Sequence, residues 1–288
     1  MVTDAVLIAG PTASGKSRLA MDIAGQIGGV VVNADSMQVY SVLRVLTARP
    51  SQADEAAIPH FLFGHVDPSS AYSVAQWGKG VAEIDTGGRP RVFVGGTGLY
   101  FRALTEGLSE MPDIDGPIRD KWRSALSAEG AEALHRQLSE RDPIAAQRLR
   151  PSDGQRIVRA IEVFEASGRS IVDWQGERSA PLVDAASVRK IVLTPDRDRL
   201  RANIDRRFDQ MVEAGALGEV QDLLAMGLSP TLPAMKAIGV RELGDVLGDR
   251  MQLSVAVDRA KAATRQYAKR QDTWFRHQLT PDWERLAT

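Results

Sequence analysis

The stretch Gly10-Pro11-Thr12-Ala13-Ser14-Gly15-Lys16-Ser17 lies between an apolar run, Val6–Ala9, and a helical pattern from Arg18 to Ile27. A strand, a glycine-rich turn and a helix in this order are the context that a P-loop requires. Backbone N–H groups at the start of the helix converge on phosphate oxygens, and the two glycines keep Cβ atoms out of the way. Lys16 adds a positive charge, and the Ser17 hydroxyl is placed to ligate Mg²⁺. All eight residues are therefore predicted to bind a phosphate chain.

The composition indicates a globular protein with one large domain, or with a core and a smaller module. The chain has 288 residues, of which 43% are hydrophobic and 25% are charged. It has no cysteine, which excludes disulfides, thiolate zinc sites and cysteine nucleophiles and is consistent with a reducing cytosol. No signal peptide is visible, and no apolar run approaches the ~20 residues that span a bilayer. We therefore predict a cytoplasmic protein with no membrane association.

Charge is unevenly distributed along the chain. The formal net charge is −1, but the segment from Asp258 to Arg276 contains six Lys and Arg against two Asp. A local basic face on a neutral protein can hold a polyanion such as nucleic acid. A solvated helix surface is the alternative that charge alone leaves open.

A second buried strand is predicted at Val30–Val32, and it ends at Asn33-Ala34-Asp35-Ser36. In open α/β sheets, the groups just beyond the carboxyl ends of the strands face the ligand crevice. Asp35 is therefore predicted to lie across from the phosphates that the P-loop binds. The alternative is that Asp35 caps the next helix.

The next stretch is predicted as a loop over residues 47–70, a helix from Ser69 to Ile84 and a third strand at Arg91–Val94. The strand runs into Gly95-Gly96-Thr97-Gly98. Most P-loop ATPases and GTPases have an Asp at the end of a strand for the Mg²⁺ shell. A Gly-Gly-Thr turn argues against an ordinary ATPase, and we expect its backbone and hydroxyl to bind a polar group at close range.

Helical patterns replace strand patterns from residue 113 to about Val188. We therefore predict a P-loop α/β core domain over residues 1–112 and 186–288 and a helical insertion domain over residues 113–185. In this insertion, Arg156 and Arg159 lie three residues apart and share a helix face, where they could bind phosphate or stack on bases. Ion pairing with Asp153 or Glu162 is the alternative.

The core resumes with a strand at Val188–Leu193, which is followed by helices. Arg207 lies off the apolar stripe of the first of these helices and could reach back toward the phosphates. The last helix places basic residues beside Trp274 and Phe275, which suits nucleic acid or burial of the aromatic rings in the core. The predicted fold class is α/β, with a P-loop NTPase-like parallel sheet flanked by helices and an all-helical insertion domain.

Taken together, the motifs resemble one family, the tRNA dimethylallyltransferases, which are also called tRNA isopentenyltransferases. The matching stretches occur in order and cover nearly the whole chain. They are GPTASGKS (10–17), NADSMQVY (33–40), YSVAQW (72–77), VGGTGLY (94–100), DPIAAQRL (142–149), GQRIVRAIEVFEASG (154–168), RRFDQMVEAG (206–215), KAIGVREL (236–243) and TRQYAKRQDTWFR (264–276).

The resemblance implies a reaction and its partners. The dimethylallyl group of dimethylallyl diphosphate would move to N6 of the adenosine that lies 3′ of the anticodon, in tRNAs reading codons that begin with U. The product would be N6-dimethylallyladenosine. The P-loop would hold the diphosphate with Mg²⁺ as cofactor, although its motif is also that of an ATP-binding site. The partner would be the tRNA anticodon stem-loop, and the enzyme would be a monomer.

The resemblance also implies roles for individual residues. Asp35 matches the general base, Lys16 and Arg207 would stabilise the leaving diphosphate, and Thr97 would contact the tRNA near the reaction. The helical insertion would grip the anticodon loop. The implied tRNA-binding residues are Asp35, Ser36, Met37, Gln38, Thr97, Arg119, Gln155, Arg156, Ile157, Val158, Arg159, Lys236, Arg241, Lys269 and Arg270.

Some residues depart from the family pattern. Asn203 stands where an Arg is usual, and Val240 stands where an aromatic residue is common.

The sequence leaves three alternative functions: a P-loop kinase of small molecules, an enzyme that prenylates free adenine nucleotides, and a non-catalytic RNA-binding module. The Gly-Gly-Thr turn disfavours the kinase, whereas the helical insertion and the basic last helix favour an RNA substrate.

Overall fold

The fold is built on one parallel β-sheet. The computed structural model describes residues 5–184 and 186–288. Within them, six strands lie in the order β3-β2-β4-β1-β5-β6, and every pairing is parallel. Strands β1, β2, β4 and β5 are short apolar runs with mostly buried residues, as expected where helices cover both faces of a sheet. The strands are β1 Ala5–Ala9, β2 Val30–Asn33, β3 His60–Phe61, β4 Arg91–Gly95, β5 Arg189–Thr194 and β6 Glu284–Ala287.

Helices connect and cover these strands. None of the described helices combines the length and the apolar character that crossing a bilayer requires. The helices are α1 Lys16–Ile27, α2 Gln52–Ala57, α3 Val74–Glu83, α4 Gly98–Glu106, α5 Gly116–Glu129, α6 Ala131–Arg141, α7 Pro143–Gln147, α8 Gly154–Ser167, α9 Ile171–Gly176, α10 Arg197–Glu213, α11 Ala216–Ala225, α12 Val240–Leu247 and α13 Leu253–Gln278. A short 3-10 turn, Ala234–Lys236, precedes α12. The predicted α/β class with a flanked parallel sheet is confirmed.

The described residues divide into two compact units. The first contains the described parts of Met1–Thr105 and Pro181–Thr288, and the second is Glu106–Ala180. The regular elements of the second unit are α5 to α9, and its own apolar core includes Trp122, Leu134 and Ile161. The sequence placed the corresponding boundaries at residues 112 and 185. Residues 1–4 and 185 lie outside the described residues.

Several element predictions need correction. The segment 47–70, expected to be a loop, contains α2 and β3, and a capping box formed by Ser51 and Asp54 starts α2. Helix α3 begins at Val74 rather than Ser69, because the side chain of Ser73 caps it through a second capping box. The edge strand β6 was not predicted, because its sequence Glu-Arg-Leu-Ala is largely exposed and has no apolar alternation.

Candidate active site

The P-loop connects β1 to α1 at the carboxyl end of the sheet. Gly15 precedes the helix with φ 88°, a left-handed conformation that glycine adopts without strain. Ala13 also has a positive φ, of 63°, and such strained residues concentrate at functional sites. The ammonium of Lys16 is buried and donates to the Pro11 carbonyl at 3.2 Å. Ser17 is exposed on the first turn of α1.

Asp35 and the cations Lys16 and Arg207 lie beside this loop, and their charges contribute to the pKa shifts of the two cations. Burial lowers the pKa of Lys16 to about 8, an effect that the Asp35 carboxylate opposes and Arg207 reinforces. Burial also lowers the pKa of Arg207, and Asp35 again opposes the shift. The carboxylate therefore lies close enough to stabilise both cations, as was expected from its position beyond β2.

Asp35 is held by its own turn at the end of β2. The Asn33 side chain accepts from the Asp35 amide at 2.8 Å and donates to the Asp35 carbonyl at 2.9 Å. One carboxylate oxygen of Asp35 accepts from the Met37 amide at 3.0 Å. The next described helix is α2, whose N-cap is Ser51. The alternative in which Asp35 caps the next helix is therefore excluded.

Thr97 is tied to the turn that carries Asp35. Its hydroxyl accepts from the Ser36 amide at 2.9 Å and lies 3.2 Å from the Ser36 hydroxyl. Its own amide donates to the Ala34 carbonyl at 3.2 Å. The Thr97 hydroxyl, which was expected to contact RNA, thus holds the turn after β2 in place.

Gly95 and Gly96, which precede Thr97, let other parts of the protein pack directly against the backbone, because a Cβ at either position would clash with them. A Cβ at Gly95 would lie 2.0 Å from the Ala34 carbonyl oxygen. A Cβ at Gly96 would lie 2.1 Å from Nε2 of Gln271, which donates to the Gly96 carbonyl at 2.9 Å. The polar group that the backbone of this turn binds at close range is therefore the side-chain amide of Gln271.

Helix α10 contacts the P-loop from the other side. Arg207 Nη1 lies 3.5 Å from the Thr12 hydroxyl, and Asn203 Nδ2 lies 3.5 Å from the Ala13 carbonyl oxygen. Asn203, where an Arg is usual in the family pattern, also accepts a hydrogen bond from Arg206 at 2.6 Å. The departure at this position therefore still provides polar contacts to the loop and keeps a guanidinium beside it.

Two cavities meet at the P-loop and share Ala13 and Arg207. The first has a volume of about 330 Å³, and we call it the apolar cavity; the second has a volume of about 650 Å³, and we call it the cationic cavity. The apolar cavity is lined by Asp35, Thr12 and mainly by apolar side chains such as Leu46, Ile204, Phe208, Met211, Ile238 and Tyr267. The cationic cavity is lined by Lys16, Ser17, Arg18, Arg49, Asn203 and Arg206, among others. Such a pair suits a ligand with an apolar end and a polyanionic end.

One wall of the apolar cavity is braced by a carboxylate of α11. Both oxygens of Glu219 accept backbone hydrogen bonds, one from Val45 at 2.7 Å and the other from Leu46 at 3.0 Å. Gln38 braces the same segment, because its side-chain amide donates to the Thr47 and Ala48 carbonyls. The Gln38 side chain, expected to bind tRNA, is thus engaged within the protein.

A third cavity, of about 1060 Å³, lies between α10 and α13, and we call it the basic groove. Its two acidic residues are each ion-paired, Asp205 with Arg265 and Asp272 with Arg276. More cations than acids line it, which makes the groove attractive to a polyanion. The cationic lining residues are Arg197, Arg201, Arg265, Lys269, Arg276 and Arg285.

The other predicted RNA-binding residues of the first unit fall into two groups. Met37, Lys236 and Arg270 line the apolar cavity together with Asp35. Arg241 is exposed on α12.

The predicted RNA-binding residues of the second unit are only partly accessible. Arg119, Gln155 and Arg156 are exposed, but Ile157 and Val158 belong to the apolar core of this unit. The expectation that these two side chains contact RNA is therefore wrong, because α8 turns that face inward. The ion pairs considered as an alternative are present, Arg156 with Asp153 and Arg159 with Glu162, each at 3.6 Å.

Gln271 is a site residue that is not among those predicted from the sequence. Its side chain is 5% exposed and bonds to the backbone of both Thr12 and Gly96. A signal was present, because Gln271 shares the inner face of α13 with the buried residues Ala268 and Phe275. A polar residue in a buried stripe needs hydrogen-bond partners.

Together, the fold and the site define a P-loop α/β protein whose phosphate-binding loop adjoins an apolar cavity. A family model described as IPP transferase matches residues 38–278, and one described as Isopentenyl transferase matches residues 3–58. The chain is 61% identical to the tRNA dimethylallyltransferase of Chelativorans sp. (strain BNC1), over 99% of both chains. It is 60% identical to that of Mesorhizobium japonicum, over 99% of this chain and 90% of the relative. The chain belongs to the tRNA dimethylallyltransferase family, as its motifs predict.

Solved structures agree with this assignment. A tRNA isopentenylpyrophosphate transferase from Bacillus halodurans is 33% identical, with a TM-score of 0.68 over 99% of this chain and 90% of that one. A eukaryotic dimethylallyltransferase acting on tRNA is 27% identical, with a TM-score of 0.80 over 99% of this chain and 74% of that one. The protein is therefore an enzyme of the prenyl-transferase class, and neither the small-molecule kinase nor the free-nucleotide prenyltransferase is favoured.

Proposed function

We propose that this enzyme transfers the dimethylallyl group of dimethylallyl diphosphate to N6 of the adenosine 3′ of the anticodon, in tRNAs reading codons that begin with U. The observation that carries the proposal is that Asp35, Thr12 of the P-loop and Arg207 line one apolar cavity. A base, a phosphate-binding loop and an apolar pocket are the three parts that prenyl transfer to an amine requires. The tRNA dimethylallyltransferases among its relatives support the same reaction.

The donor fits the two cavities by its two ends. The diphosphate would lie in the cationic cavity against Lys16 and the amides of the P-loop, and Arg207 would contact it from α10. The five-carbon chain would extend into the apolar cavity, where Ile204 and Phe208 exclude water. Arg207 borders both cavities, so its guanidinium would lie beside the bond that breaks.

The proposed step conserves atoms and charge. The allylic C–O bond breaks and its electron pair leaves with the diphosphate, while the N6 lone pair forms the new C–N bond. Lys16, Arg207 and the P-loop amides stabilise the negative charge that grows on the leaving group. The N6 proton passes to the carboxylate of Asp35, which acts as general base.

Mg²⁺ is part of this proposal. No group of three His, Asp or Glu side chains is arranged to hold a metal among the residues that the structure describes. Mg²⁺ usually keeps several waters and binds through one or two protein ligands plus substrate phosphates. The Ser17 hydroxyl, exposed in the cationic cavity next to Lys16, fits that role. When bound, the ion would add positive charge at the diphosphate.

The proposed macromolecular partner is the tRNA anticodon stem-loop. Arg119, Gln155, Arg156 and Arg159 of the second unit would grip the loop. The target base must leave its stack, at a cost of about a few kcal/mol. The protein would act as a monomer on cytoplasmic tRNA. Contacts to the RNA backbone are proposed for Lys236, Arg241, Lys269 and Arg270, and for the basic groove that Lys269 lines.

The direct test is mass spectrometry of an unmodified tRNA transcript incubated with enzyme, Mg²⁺ and dimethylallyl diphosphate. We expect one added dimethylallyl group, on the adenosine 3′ of the anticodon, and the same product on an isolated anticodon stem-loop. AMP as acceptor should remain unmodified, and ATP without tRNA should not be consumed. Modification of AMP but not of the stem-loop would establish the free-nucleotide prenyltransferase instead.

Arg156→Ala should weaken binding of the anticodon stem-loop without affecting the donor. The side chain is 75% exposed and makes only a long ion pair with Asp153, so its loss should leave the fold intact. We expect the stem-loop Kd to rise roughly fivefold and the salt dependence of binding to decrease by about one phosphate contact. Fluorescence anisotropy at several salt concentrations measures both, with Arg136→Ala on the exposed side of α6 as control. A Kd equal to that of wild type would remove α8 from the RNA interface.

Donor binding should weaken as pH rises through the pKa of Lys16. Burial lowers that pKa to about 8, so the side chain is mainly cationic at pH 7 and mainly neutral above pH 8. Bound diphosphate favours the cation, and the affinity should therefore fall by up to about tenfold per pH unit above pH 8. Calorimetric titration with dimethylallyl diphosphate between pH 7 and 9.5 measures this. Lys16→Arg stays charged throughout this range, so its donor affinity should depend little on pH. If this variant shows the same pH dependence as wild type, a group other than Lys16 is titrating.

A further inference from the structure

Gln271 joins the ends of two neighbouring strands through a single buried amide. Its Oε1 accepts from the Thr12 amide at 2.9 Å, and its Nε2 donates to the Gly96 carbonyl at 2.9 Å. Thr12 follows β1 and Gly96 follows β4, and these two strands are paired in the sheet. A primary amide is suited to this position because it offers one acceptor and one donor side by side.

The contact at Gly96 leads directly to the Asp35 turn. A Cβ at Gly96 would lie 2.1 Å from Nε2 of Gln271 and 3.3 Å from Oδ2 of Asp35, so all three groups meet at this glycine. The following residue, Thr97, holds the Ser36 amide through its hydroxyl. The backbone of Gly96 and Thr97 thus connects the Gln271 side chain to the turn that carries Asp35.

The contact at Thr12 leads to the cation on α10. The Thr12 amide donates its hydrogen to Gln271 rather than to a ligand, while the Thr12 hydroxyl lies 3.5 Å from Arg207 Nη1. Thr12 and Arg207 both line the apolar cavity with Asp35. The orientation of Thr12 therefore influences the P-loop and the guanidinium together.

We propose that Gln271 is a positioning residue that fixes the separation between the diphosphate cradle of the P-loop and the carboxylate of Asp35. This proposal rests on the proposed function and assigns to Gln271 no contact with substrate. Helix α13 carries it, so the helix that lines both the apolar cavity and the basic groove also sets the geometry of the reacting groups.

Gln271→Met should lower kcat while leaving RNA binding unchanged. Met fills a similar volume without either hydrogen bond, and the P-loop and the Asp35 turn are then free to shift relative to each other. A displacement of about 1 Å can cost on the order of a hundredfold in rate; we expect at least a tenfold loss of kcat and about a fivefold loss of donor affinity. The stem-loop Kd should stay within twofold of wild type. Thermal melting monitors the fold.

Gln271→Glu gives a pH signature that a purely structural role would not produce. A charged carboxylate offers two acceptors and faces the Gly96 carbonyl with one of them, whereas a neutral carboxyl again offers one donor and one acceptor. The charged and titratable groups around this position are Asp35, which lies beside Gly96, and Tyr267 of α13, whose side chain hydrogen-bonds to Gln271. The nearby cations are Lys16, which contacts Pro11, and Arg207 of α10, which approaches Thr12. Burial and Asp35 favour the neutral carboxyl, and the two cations oppose it.

The ratio of Gln271→Glu to wild-type kcat should therefore rise as pH falls from 8 to 6, and the Gln271→Met ratio should stay flat. Gln278→Glu, the same change at an exposed position of α13, should match wild type at every pH. The proposal is overturned if Gln271→Met retains kcat within twofold, or if the loss lies in the stem-loop Kd. If the wild-type enzyme leaves tRNA unmodified, the proposed function is refuted instead. The role of Gln271 would then be tested by donor affinity alone, which Gln271→Met should lower about fivefold.

Discussion

Asp35→Asn should reduce the rate of prenyl transfer by roughly 10²- to 10⁴-fold, the contribution of a well-placed general base. The substitution is nearly isosteric, and the amide oxygen can still accept the hydrogen bond from Met37. The turn after β2 should therefore keep its shape. The affinities for the donor and for the stem-loop should stay within a few-fold of wild type, because asparagine keeps the shape of the cavity wall that Asp35 forms and the proposed role of the lost charge is to accept the N6 proton.

The measurement is single-turnover kinetics at saturating enzyme, which isolates chemistry from product release. It should be made at pH 7 or below, since Asp35 raises the pKa of Lys16 and its loss lowers that pKa further below about 8. Asp222→Asn, on the exposed face of α11, removes the same charge from a residue that lines none of the three cavities and should leave the rate unchanged. If Asp35→Asn retains a third of the wild-type rate, the proton must leave by another route.

Gly95→Ala should both destabilise the protein and abolish most activity. The new Cβ would lie 2.0 Å from the Ala34 carbonyl oxygen and 2.7 Å from the Asp35 amide. These are backbone atoms that cannot rotate away, so β2 and its turn must shift. We expect a cost at or above the upper end of the ~1–3 kcal/mol typical of overpacking and a fall in Tm of roughly 5–10 °C.

Calorimetric melting and the tRNA assay together test this prediction. Gly218→Ala is the matched control, because a Cβ there meets nothing within 4 Å on α11, and alanine in a helix interior is favoured over glycine by ~1 kcal/mol. Activity of Gly95→Ala at the wild-type level would show that β4 can move without displacing Asp35.

The parts of the site that the sequence predicts well are local. The P-loop is a contiguous motif, and its signal lies in the spacing of Gly10, Lys16 and Ser17 between a strand and a helix. The position of Asp35 follows from one further rule, that parallel strands present their carboxyl ends at the same edge. Both inferences need only neighbouring residues and the alternation of strands and helices.

The rest depends on contacts between distant parts of the chain. The hydrogen bond from Thr12 to Gln271 spans 259 residues, and the one from Gln271 to Gly96 spans 175. No periodicity in a window of ten or twenty residues encodes such partners. The glycine-rich turn after β4 is predicted to bind a polar group at close range, but its sequence does not identify Gln271, whose side-chain amide donates to the Gly96 carbonyl. Likewise, the resemblance implies RNA contacts for every residue from Gln155 to Arg159, although Ile157 and Val158 pack in the apolar core of the second unit.

The hydrogen bonds from Val45 and Leu46 to Glu219 have a consequence for how the enzyme recognises its donor. Because one carboxylate accepts from both amides, contacts within the protein itself order the segment that borders the apolar cavity. A preorganised pocket loses less conformational entropy when its ligand enters. More of the binding energy of the hydrocarbon tail can then be used to stabilise the transition state.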